Sequence, residues 1–462
     1  MISLTYEEIC RGCNGHIISK GASTSAYGVS TDTRTIQKGM LFVPLMGENF
    51  DGHTFIEEAK IKGATGAIIE KNRSLNLSVL DSMYLIEVED TLEALSRLSK
   101  FYRNMFNIPF VGVTGSTGKT STKDMISAVL SSHFSVLKNI GNFNNHIGLP
   151  LTLFNLEKHN QVAVLEMGMS AFGEISMLAE IVRPKIGVIT NIGMSHIEHL
   201  GSKENIMKAK MEIAEHMTED NYLIINGDDE YLKKLKGQKT PYTKIFYGIG
   251  QDNDLYPSSI SENEDGGYSI SITINDREAT FNIKQYGLHN VYNGLVAIWI
   301  GNYFGLSPDK IQQAFDFYSP SKMRMEILEL HNFKVINDTY NASPDSMKAA
   351  IDVLKHIKGK RKIAVLGNML EMGAFSEEGH RLVGSYLVKA GVDGLIAVGD
   401  EARWIAMEVN YINSSINTII VDDNKQACIK LNEMLENDDV ILIKGSRGMQ
   451  MEEIVNFLQE RS

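Results

Sequence analysis

Residues 110–121 constrain the fold of this chain most strongly, because they join an apolar strand to a helix through a glycine-rich turn. Gly115 and Gly118 allow the backbone of the turn to approach a phosphate group and to direct N–H groups at it. Lys119 is placed to reach the β- and γ-phosphates, and the hydroxyl of Thr120 is placed to bind Mg²⁺. This pattern predicts a nucleotide-binding loop at the edge of an α/β sheet.

The match to the full nucleotide-loop pattern has one departure, because Val113 stands where the pattern requires glycine. The alternative is an ordinary strand-to-helix turn, although Gly-Lys-Thr-Ser directly after an apolar strand favours a nucleotide site. The loop does not distinguish ATP from GTP. The candidate nucleotide-binding residues of the loop are Gly115, Ser116, Thr117, Gly118, Lys119, Thr120 and Ser121.

The 462 residues are enough for about three domains, at roughly 100–200 residues per domain. We expect these domains to span residues 1–107, 108–319 and 320–462. A helix is predicted at residues 91–106 from the spacing of apolar side chains, and Pro109 breaks the pattern after it. The strand candidates of the first segment are residues 40–44, 66–70 and 83–88.

Apolar runs that alternate with helical stretches predict buried, mainly parallel strands in the second and third segments. These runs are residues 110–113, 162–167, 186–192, 222–226, 333–337, 362–366, 394–398, 418–421 and 440–444. Residues 268–283 alternate apolar and polar side chains around an Asn275-Asp276 turn, which predicts an antiparallel hairpin attached to the main sheet. The expected fold class is α/β, with a doubly wound, Rossmann-like third domain.

Charge and hydropathy exclude several classes of protein. The formal net charge is −12, which disfavours nucleic acid as a partner. The N-terminus lacks the basic start and apolar core of a signal peptide, and the longest apolar stretch, residues 295–300, is too short to cross a bilayer. We therefore expect a soluble, cytoplasmic protein without membrane insertion. Nothing in the sequence requires association, so a monomer is expected.

Polar side chains follow two of the predicted central strands. Glu166 comes directly after one strand, and His196 follows the next strand by a few residues. Because ligands gather beyond the carboxyl ends of parallel strands, both should lie at the same edge as Lys119. Beside a triphosphate, Thr120, Glu166 and His196 are candidate ligands for Mg²⁺. Each has an ordinary alternative when taken alone: a capping or solvated acid for Glu166 and a hydrogen-bonded histidine for His196.

Several blocks of the chain, in the same order, resemble the motifs of the Mur ligase family. They are residues 114–121 (the nucleotide loop), 142–150 (an asparagine-rich segment), 191–201 (a metal-binding stretch) and 288–293 (an adenine-contacting motif). The nucleotide loop of this family also tolerates a residue other than glycine at position 113. Since the blocks cover most of the chain, the resemblance is far more specific than any one motif.

Motifs in the third segment are similar to those of one member of the family. Residues 337–347, 367–373 and 444–447 resemble the ligase that joins D-alanyl-D-alanine to UDP-N-acetylmuramoyl-tripeptide. The Asp-Asn-Pro-Arg motif of the ligase that adds the preceding diamino acid is missing. The sequence does not tell whether the third stem residue is lysine or diaminopimelate.

The N-terminal residues 30–34 and 47–53 resemble the UDP-binding segment of the family. Two positions elsewhere depart from the family pattern. Asn368 stands where an acid is common, and Met323 precedes Arg324 where glycine is usual. These departures concern the contacts made by two loops.

The resemblance implies an ATP-dependent amide ligase of peptidoglycan precursor synthesis. The carboxylate of the nucleotide-linked tripeptide would attack the γ-phosphate of ATP to give an acyl phosphate and ADP. The amine of D-alanyl-D-alanine would then attack the acyl carbon and release phosphate. Because phosphoryl transfer depends on positioning and on neutralised charge, Lys119 and Mg²⁺ are expected to supply most of the neutralisation. Thr120 would hold one Mg²⁺, and Glu166 with His196 would hold a second between the γ-phosphate and the acceptor carboxylate.

The resemblance also implies roles for residues whose ordinary alternatives are structural. Lys210 would be carbamylated, and His199 would be a candidate base for the incoming amine. Asn290 and Asn293 would contact adenine. Arg324 would contact the γ-phosphate, and Asp338 would contact the ribose. The candidate contacts to the other substrates are Ser30, Asp32, Thr33, Arg34, Asn49, Asn145, Asn341, Ser343, Ser446 and Arg447. Helix capping by Ser343 and a solvated Arg447 are the alternatives in the third segment.

Two other functions stay open from the sequence. A sibling Mur ligase or a folylpolyglutamate-type ligase would share the nucleotide loop, but the third-segment and UDP-like motifs favour D-alanyl-D-alanine addition. A non-catalytic nucleotide-binding protein would not need Glu166, His196 and Lys210 together. A dehydrogenase is disfavoured because no Gly-x-Gly-x-x-Gly follows the early strands.

Overall fold

The computed structural model describes residues 3–47, 49–73, 80–264 and 266–461. The chain forms three α/β units in sequence order, each built around a sheet that is covered by helices. This confirms the fold class predicted from the alternation of strands and helices. Within the described ranges, no helix is both long enough and apolar enough to cross a membrane.

The first unit combines short strands with three helices in its described part. Its strands are β1 (Ser3–Thr5), β2 (His16–Ser19), β3 (Ser25–Tyr27), β4 (Val29–Ser30), β5 (Leu41–Phe42), β6 (Gly66–Glu70) and β7 (Tyr84–Val88). Its helices are α1 (Tyr6–Cys13), α2 (Ile56–Ile61) and α3 (Thr91–Arg103). The main sheet has the order β2-β7-β6-β5-β4, in which only β2 is antiparallel to its neighbour. Helix α3 ends before the predicted residue 106, because the backbone of Asn104 closes its last turn.

The second unit carries the predicted nucleotide loop. Its strands are β8 (Phe110–Thr114), β9 (Val136–Lys138), β10 (Val162–Glu166), β11 (Ile186–Ile189), β12 (Tyr222–Asn226), β13 (Thr243–Tyr247), β14 (Ser259–Glu262), β15 (Tyr268–Ile274) and β16 (Arg277–Ile283). Its helices are α4 (Lys119–Ser131), α5 (Gly148–Leu153), α6 (Glu174–Val182), α7 (Ile197–Leu200), α8 (Lys203–Met211), α9 (His289–Tyr303) and α10 (Pro308–Phe317).

The main sheet of the second unit is parallel and has the order β13-β12-β11-β8-β10-β9. Strand β8 lies between β11 and β10, so the loops after these three strands leave the sheet at the same edge. Side chains of β8, α4 and α9, including Val113, Met125 and Leu295, are buried in one core cluster. This packing holds the nucleotide loop between the sheet and the two helices.

The predicted hairpin forms, but its predicted attachment to the main sheet is wrong. Strands β15 and β16 pair with each other and join β14 in a separate three-stranded antiparallel sheet. The apolar face of the hairpin, including Ile270, Ile272 and Phe281, is buried in the same core cluster as α9. The hairpin is therefore held to the unit by side-chain packing rather than by strand pairing.

The third unit has the predicted doubly wound pattern. Its strands are β17 (Glu326–Leu330), β18 (Phe333–Asn337), β19 (Arg361–Gly367), β20 (Gly394–Val398), β21 (Asn417–Val421) and β22 (Asp439–Lys444). Its helices are α11 (Pro344–His356), α12 (Ser376–Ala390), α13 (Arg403–Ile412), α14 (Asn424–Met434) and α15 (Glu452–Glu460). The sheet order is β17-β18-β22-β19-β20-β21, with β17 antiparallel and the other pairs parallel.

Candidate active site

The turn after β8 has a backbone that only glycine can supply at one position. Gly115 has φ +147°, and a Cβ atom there would lie 1.8 Å from Oγ1 of Thr190. Gly118 has φ +77° and directly precedes α4. The Nζ atom of Lys119 folds back and donates to the carbonyl of Gly115 at 2.9 Å. The turn is thus closed around its own lysine at the N-terminus of α4.

Residues at the end of the neighbouring strand β11 hold this turn in place. Asn191 accepts a hydrogen bond from the N–H of Thr117 at 2.9 Å, and its Nδ2 donates to Oγ1 of Thr117 at 2.6 Å. The hydroxyl of Thr190 donates to the carbonyl of Thr117 at 2.6 Å. Sequence reasoning did not give Thr190 or Asn191 a role of its own. The available signal was their position directly after a buried strand next to β8.

The structure brings two of the three predicted metal ligands together. The hydroxyl of Thr120 donates to Oε2 of Glu166 at 2.7 Å, and Nδ2 of Asn144 donates to Oε1 at 2.8 Å. Asn139 pairs with both the N–H and the carbonyl of Glu166. A carboxylate and a hydroxyl at the phosphate end of the cleft are hard oxygen donors, which fit Mg²⁺. The roles of Asn139 and Asn144 were missed from the sequence.

The third predicted metal ligand faces the third unit. His196 has φ +62°, and its Nδ1 atom lies 2.7 Å from Oε2 of Glu371. Among the described residues, no group of three or more His, Cys, Asp or Glu side chains is arranged to hold a metal. His196 does line the same cleft as Thr120 and Glu166. The predicted set of three ligands therefore stays a prediction.

Two lysines of the second unit have lowered pKa values: Lys119, which is half-buried, and Lys210, which is buried. Burial lowers the pKa of Lys119; the charge of Glu166 opposes this effect, and the charge of Arg324 adds to it. Lys210, at the end of α8, is 1% exposed, and burial together with the Lys119 charge lowers its pKa well below the usual value. In the described part of the chain, no carboxylate forms an ion pair with Lys210. The amine of Lys210 is thereby disposed to be neutral.

The two asparagines predicted to contact adenine are buried near the start of α9. Oδ1 of Asn293 accepts from the hydroxyl of Thr122 on α4 at 2.7 Å, and its Nδ2 donates to Oδ1 of Asn290 at 3.0 Å. Nδ2 of Asn290 donates to the carbonyl of Tyr286 at 2.8 Å. Both asparagines line the cleft. Their amides are thus held by α4, by the segment before α9 and by each other.

Arg324 and Asp338 lie on the opposite wall of the cleft, at the start of the third unit. Asp338 pairs with Lys444 and accepts from the N–H of Met325 at 3.1 Å. The guanidinium carbon of Arg324 lies 3.9 Å from the centre of the ring of Tyr340. Arg324 lines the same cleft as the nucleotide loop, and its charge contributes to the lowered pKa of Lys119.

The substrate candidates of the third unit are divided between the cleft and its border. Asn341, Ser343 and Arg447 line the cleft. Ser343 also caps α11, as its structural alternative proposed, and Arg447 pairs with Glu452 at 2.8 Å. Ser446 is buried behind the wall, where its hydroxyl accepts from the N–H of Leu370. The exposed His199 lies close enough to Glu371 to affect its pKa.

The candidates of the first unit do not line this cleft in the described structure, although Asn145 of the second unit does. Ser30 donates to the carbonyl of Asp32, and Thr33 donates to Glu58. The exposed Arg34 forms a bidentate pair with Asp32. Asn49 is exposed, and the neighbouring Glu48 lies outside the described residues. These residues of the first unit therefore lie outside the phosphate site; Ser30 and Thr33 are buried, and Arg34 and Asn49 are exposed.

One cleft of about 1010 Å³ joins the second and third units. It is lined by the nucleotide loop and by polar side chains from both units. The predicted site residues that line it are Ser116, Thr117, Gly118, Lys119, Thr120, Ser121, Asn145, Glu166, His196, Asn290, Asn293, Arg324, Asp338, Asn341, Ser343 and Arg447. The cleft therefore gathers the predicted nucleotide and metal residues with most of the third-unit candidates.

Three family models match successive parts of the chain. The model described as "Mur ligase family, catalytic domain" matches residues 25–103. The "Mur ligase middle domain" matches residues 113–301, and the "Mur ligase, glutamate ligase domain" matches residues 323–447. Together, the matches extend over all three units of the fold.

Individual relatives are similar over the whole length. The UDP-N-acetylmuramoyl-tripeptide–D-alanyl-D-alanine ligase of Bacillus subtilis is 39% identical and covers 100% of this chain and 99% of its own. MurF from Acinetobacter baumannii is 27% identical, with a TM-score of 0.90 over 100% of this chain and 99% of that one. MurF from Thermotoga maritima, solved with ADP, is 29% identical, with a TM-score of 0.82 over 95% and 99%. The chain belongs to the Mur ligase family.

Proposed function

We propose that this chain is an ATP- and Mg²⁺-dependent ligase that joins D-alanyl-D-alanine to UDP-N-acetylmuramoyl-tripeptide. The observation that carries the proposal is the single cleft that places the nucleotide loop opposite the polar strand ends of the third unit. The full-length similarity to the Bacillus subtilis ligase supports the choice of substrates. The proposal also places the reaction in the cytoplasm.

In this proposal, the second unit binds ATP and neutralises its phosphates. The N–H groups at the start of α4 and the amine of Lys119 face the β- and γ-phosphates. Asn290 and Asn293 are already oriented by Tyr286 and by α4, so they can meet adenine without a loss of side-chain freedom. Across the cleft, Arg324 meets the γ-phosphate and Asp338 the ribose.

Thr120 and Glu166 would hold Mg²⁺, with His196 as a further candidate ligand. The ion would reduce the repulsion between the γ-phosphate and the attacking carboxylate. The hydroxyl of Thr120 and the carboxylate of Glu166 are already in contact, so both lie where one cation can reach them. Asn139 and Asn144 keep the carboxylate at that position.

Lys210 is proposed to carry a carbamate, which would turn a buried cation into an oxygen donor. A neutral amine can attack CO₂ with loss of one proton, whereas an ammonium cannot. Burial and the charge of Lys119 lower the pKa of Lys210, which favours the neutral form. Among the described residues, no carboxylate forms an ion pair with Lys210. This is consistent with a carbamate that is added to its amine after folding.

The third unit is proposed to bind D-alanyl-D-alanine. Arg447 offers a guanidinium at the cleft for the carboxylate of the dipeptide, and Asn341 lines the same cleft. His199 is the candidate base for the amine, and Ser446 would act by holding the loop at Leu370. Residues 30–34 with Asn49 are proposed to hold the UDP part, outside the phosphate cleft.

The test is phosphate release from ATP and Mg²⁺ with UDP-N-acetylmuramoyl-tripeptide, in the presence and absence of D-alanyl-D-alanine. Release that requires both acceptor substrates, and that is lost in Lys119→Ala, is the expected result. Stimulation by another amino acid but not by the dipeptide would instead indicate a sibling ligase. No release with any acceptor would favour a non-catalytic nucleotide-binding protein. Lysine- and diaminopimelate-containing tripeptides should be compared in the same assay.

A further inference from the structure

The guanidinium of Arg324 is stacked on an aromatic ring. Its central carbon lies 3.9 Å from the centroid of the ring of Tyr340, within the range of a cation–π contact. Within the described part of the chain, the guanidinium forms no ion pair with a carboxylate. Stacking uses the face of the guanidinium and leaves its N–H donors, which lie in its plane, available to another group. The contact therefore orients Arg324 without occupying its donors.

The backbone on both sides of Arg324 is held by the same segment that carries Tyr340. The N–H of Tyr340 donates to the carbonyl of Met323 at 3.2 Å, and the N–H of Met325 donates to Asp338 at 3.1 Å. Met323 has φ +59° and Met325 has φ +51°. Residues with side chains adopt this left-handed region only where their surroundings enforce it. Segment 338–340 thus fixes the backbone as well as the side chain of Arg324.

Arg324 lines the same cleft as the nucleotide loop. Both Arg324 and Tyr340 line the cleft, as does Lys119. The charge of Arg324 is one of the causes that lower the pKa of Lys119, after burial and against the effect of Glu166. Two cations that line the same polar cleft favour the binding of an anion there.

We propose that Tyr340 is a positioning residue, whose ring holds the guanidinium of Arg324 in the orientation that meets the terminal phosphate of ATP. The inference rests on the proposed function, because it takes the ligand of Arg324 to be that phosphate. The ring of Tyr340 acts through Arg324 and has no contact of its own with the reacting atoms. Its hydroxyl is not needed for this role.

The test compares Tyr340→Leu, which removes the ring, with Tyr340→Phe, which keeps it. Binding of ADP and of a non-hydrolysable ATP analogue is measured by calorimetry for each variant. Tyr340→Leu should bind the ATP analogue about 3- to 30-fold more weakly than the unchanged chain, the range expected for a lost cation–π contact. ADP, which lacks the terminal phosphate, should bind within about twofold of the unchanged chain. Tyr340→Phe should restore the preference for the ATP analogue.

Two further variants separate positioning from general structural damage. In an Arg324→Met background, Tyr340→Leu should cause no additional loss of analogue binding, because the residue it positions is already gone. Trp404→Leu is the matched control, since it removes an aromatic partner of Arg381 at 4.8 Å in the same unit but outside the cleft. This control should change neither nucleotide affinity.

Three results would overturn the inference. The first is an equal loss of ADP and analogue binding in Tyr340→Leu. The second is a full additional loss in the Arg324→Met background, and the third is a loss confined to the KM for D-alanyl-D-alanine. By contrast, the expected pattern of ATP-analogue and ADP binding across these variants, together with no ligase activity towards the dipeptide, would contradict the proposed function and still support the role of Tyr340.

Discussion

His196 of the second unit and Glu371 of the third unit are in direct contact, with 2.7 Å between Nδ1 and Oε2. Both residues have φ +62°, so both loops present these side chains from a left-handed backbone. The contact with His196 is the largest cause that lowers the pKa of Glu371. Beside it, Asp345 of the third unit accepts from the N–H of Met194 at 3.1 Å. These contacts join the two walls of the cleft.

Glu371→Gln should weaken the contact between the second and third units, because it removes the negative charge and keeps the size of the side chain. The pair is partly exposed, so we expect a shift of no more than about fivefold in the equilibrium between closed and open forms. Fluorescence transfer between labels on the two units would measure this shift. Glu377→Gln, which breaks an ion pair within the third unit, is the control. Equal results for both variants would contradict a role for the His196 contact in closure.

Gly115→Ala should disrupt the nucleotide loop. A Cβ atom at this position would lie 1.8 Å from Oγ1 of Thr190, and the backbone has φ +147°. We expect ADP to bind at least about tenfold more weakly, as measured by calorimetry. Gly237→Ala is the control, because φ is also positive there, at +76°, but a Cβ atom meets no other atom within 4 Å. Unchanged binding in Gly115→Ala would show that the loop can move away from Thr190.

Lys210→Met should stabilise the protein while it abolishes ligase activity. The lowered pKa of Lys210, due to burial and Lys119, means that the unfolded chain binds a proton that the folded chain disfavours. Stability should therefore rise with pH between the lowered folded value and the unfolded value of about 10.4, and the variant should lose this slope. In bicarbonate-free buffer near neutral pH, we expect its melting temperature to rise by roughly 2–4 °C for each kcal/mol gained.

Lys208→Met is the control for Lys210→Met, because Lys208 is an exposed residue of the same helix. It should change neither the melting temperature nor its dependence on pH. A lower melting temperature in Lys210→Met would contradict the inference that the buried amine destabilises the protein. Retained ligase activity would contradict the proposed carbamate. Labelled CO₂ should give a carbamate signal in the unchanged chain and none in the variant.

Asp124→Asn should destabilise the protein at neutral pH. Burial alone would raise the pKa of Asp124, but Lys123, Lys138 and the hydroxyl of Ser321 together lower it. Removing the charge leaves the buried Lys123 without an opposite charge, although its Nζ still donates to the carbonyl of Asn139, and the expected cost is about 3 kcal/mol in the free energy of unfolding. Ser321 precedes the third unit, so the same carboxylate anchors the connection between the units to α4.

The effect of Asp124→Asn should depend on pH in a defined direction. A carboxyl group with a lowered folded pKa contributes stability above its unfolded pKa of about 3.9 and loses it as pH falls through the folded value. Urea unfolding should give a constant difference between variant and unchanged chain from pH 7 to about pH 4, and a smaller difference below that. Asp252→Asn, at an exposed ion pair, should show no such difference. A difference that grows on acidification would contradict this assignment.

Strands that are buried on both faces could be located from the sequence. The predicted runs 66–70, 222–226, 333–337 and 394–398 coincide with β6, β12, β18 and β20. Their apolar side chains are continuous, because helices cover both faces of a parallel sheet. The edge strands β9, β13 and β17 were missed. Edge strands are short or partly exposed, and their residues therefore resemble those of loops.

Several residues of the site could also be recognised from short stretches of the sequence. Gly115, Gly118 and Lys119 lie within a stretch of five residues, so the sequence alone identifies them as one nucleotide-loop motif. Glu166 was recognisable because it ends a buried strand. The carboxyl ends of parallel strands lie at one edge of the sheet, so a residue that ends such a strand can be assigned to that edge from the sequence.

The partners of these residues were decided only by tertiary structure. Three contacts connect segments that are separated in sequence: Asn144 with Glu166, Glu371 with His196, and Tyr340 with Arg324. No local pattern encodes such pairs, because they depend on how sheets, helices and units pack against one another. The sequence by itself determined which chemical groups reach the edge of the sheet. Packing decided which groups face each other there, since only packing fixes distances between remote parts of the chain.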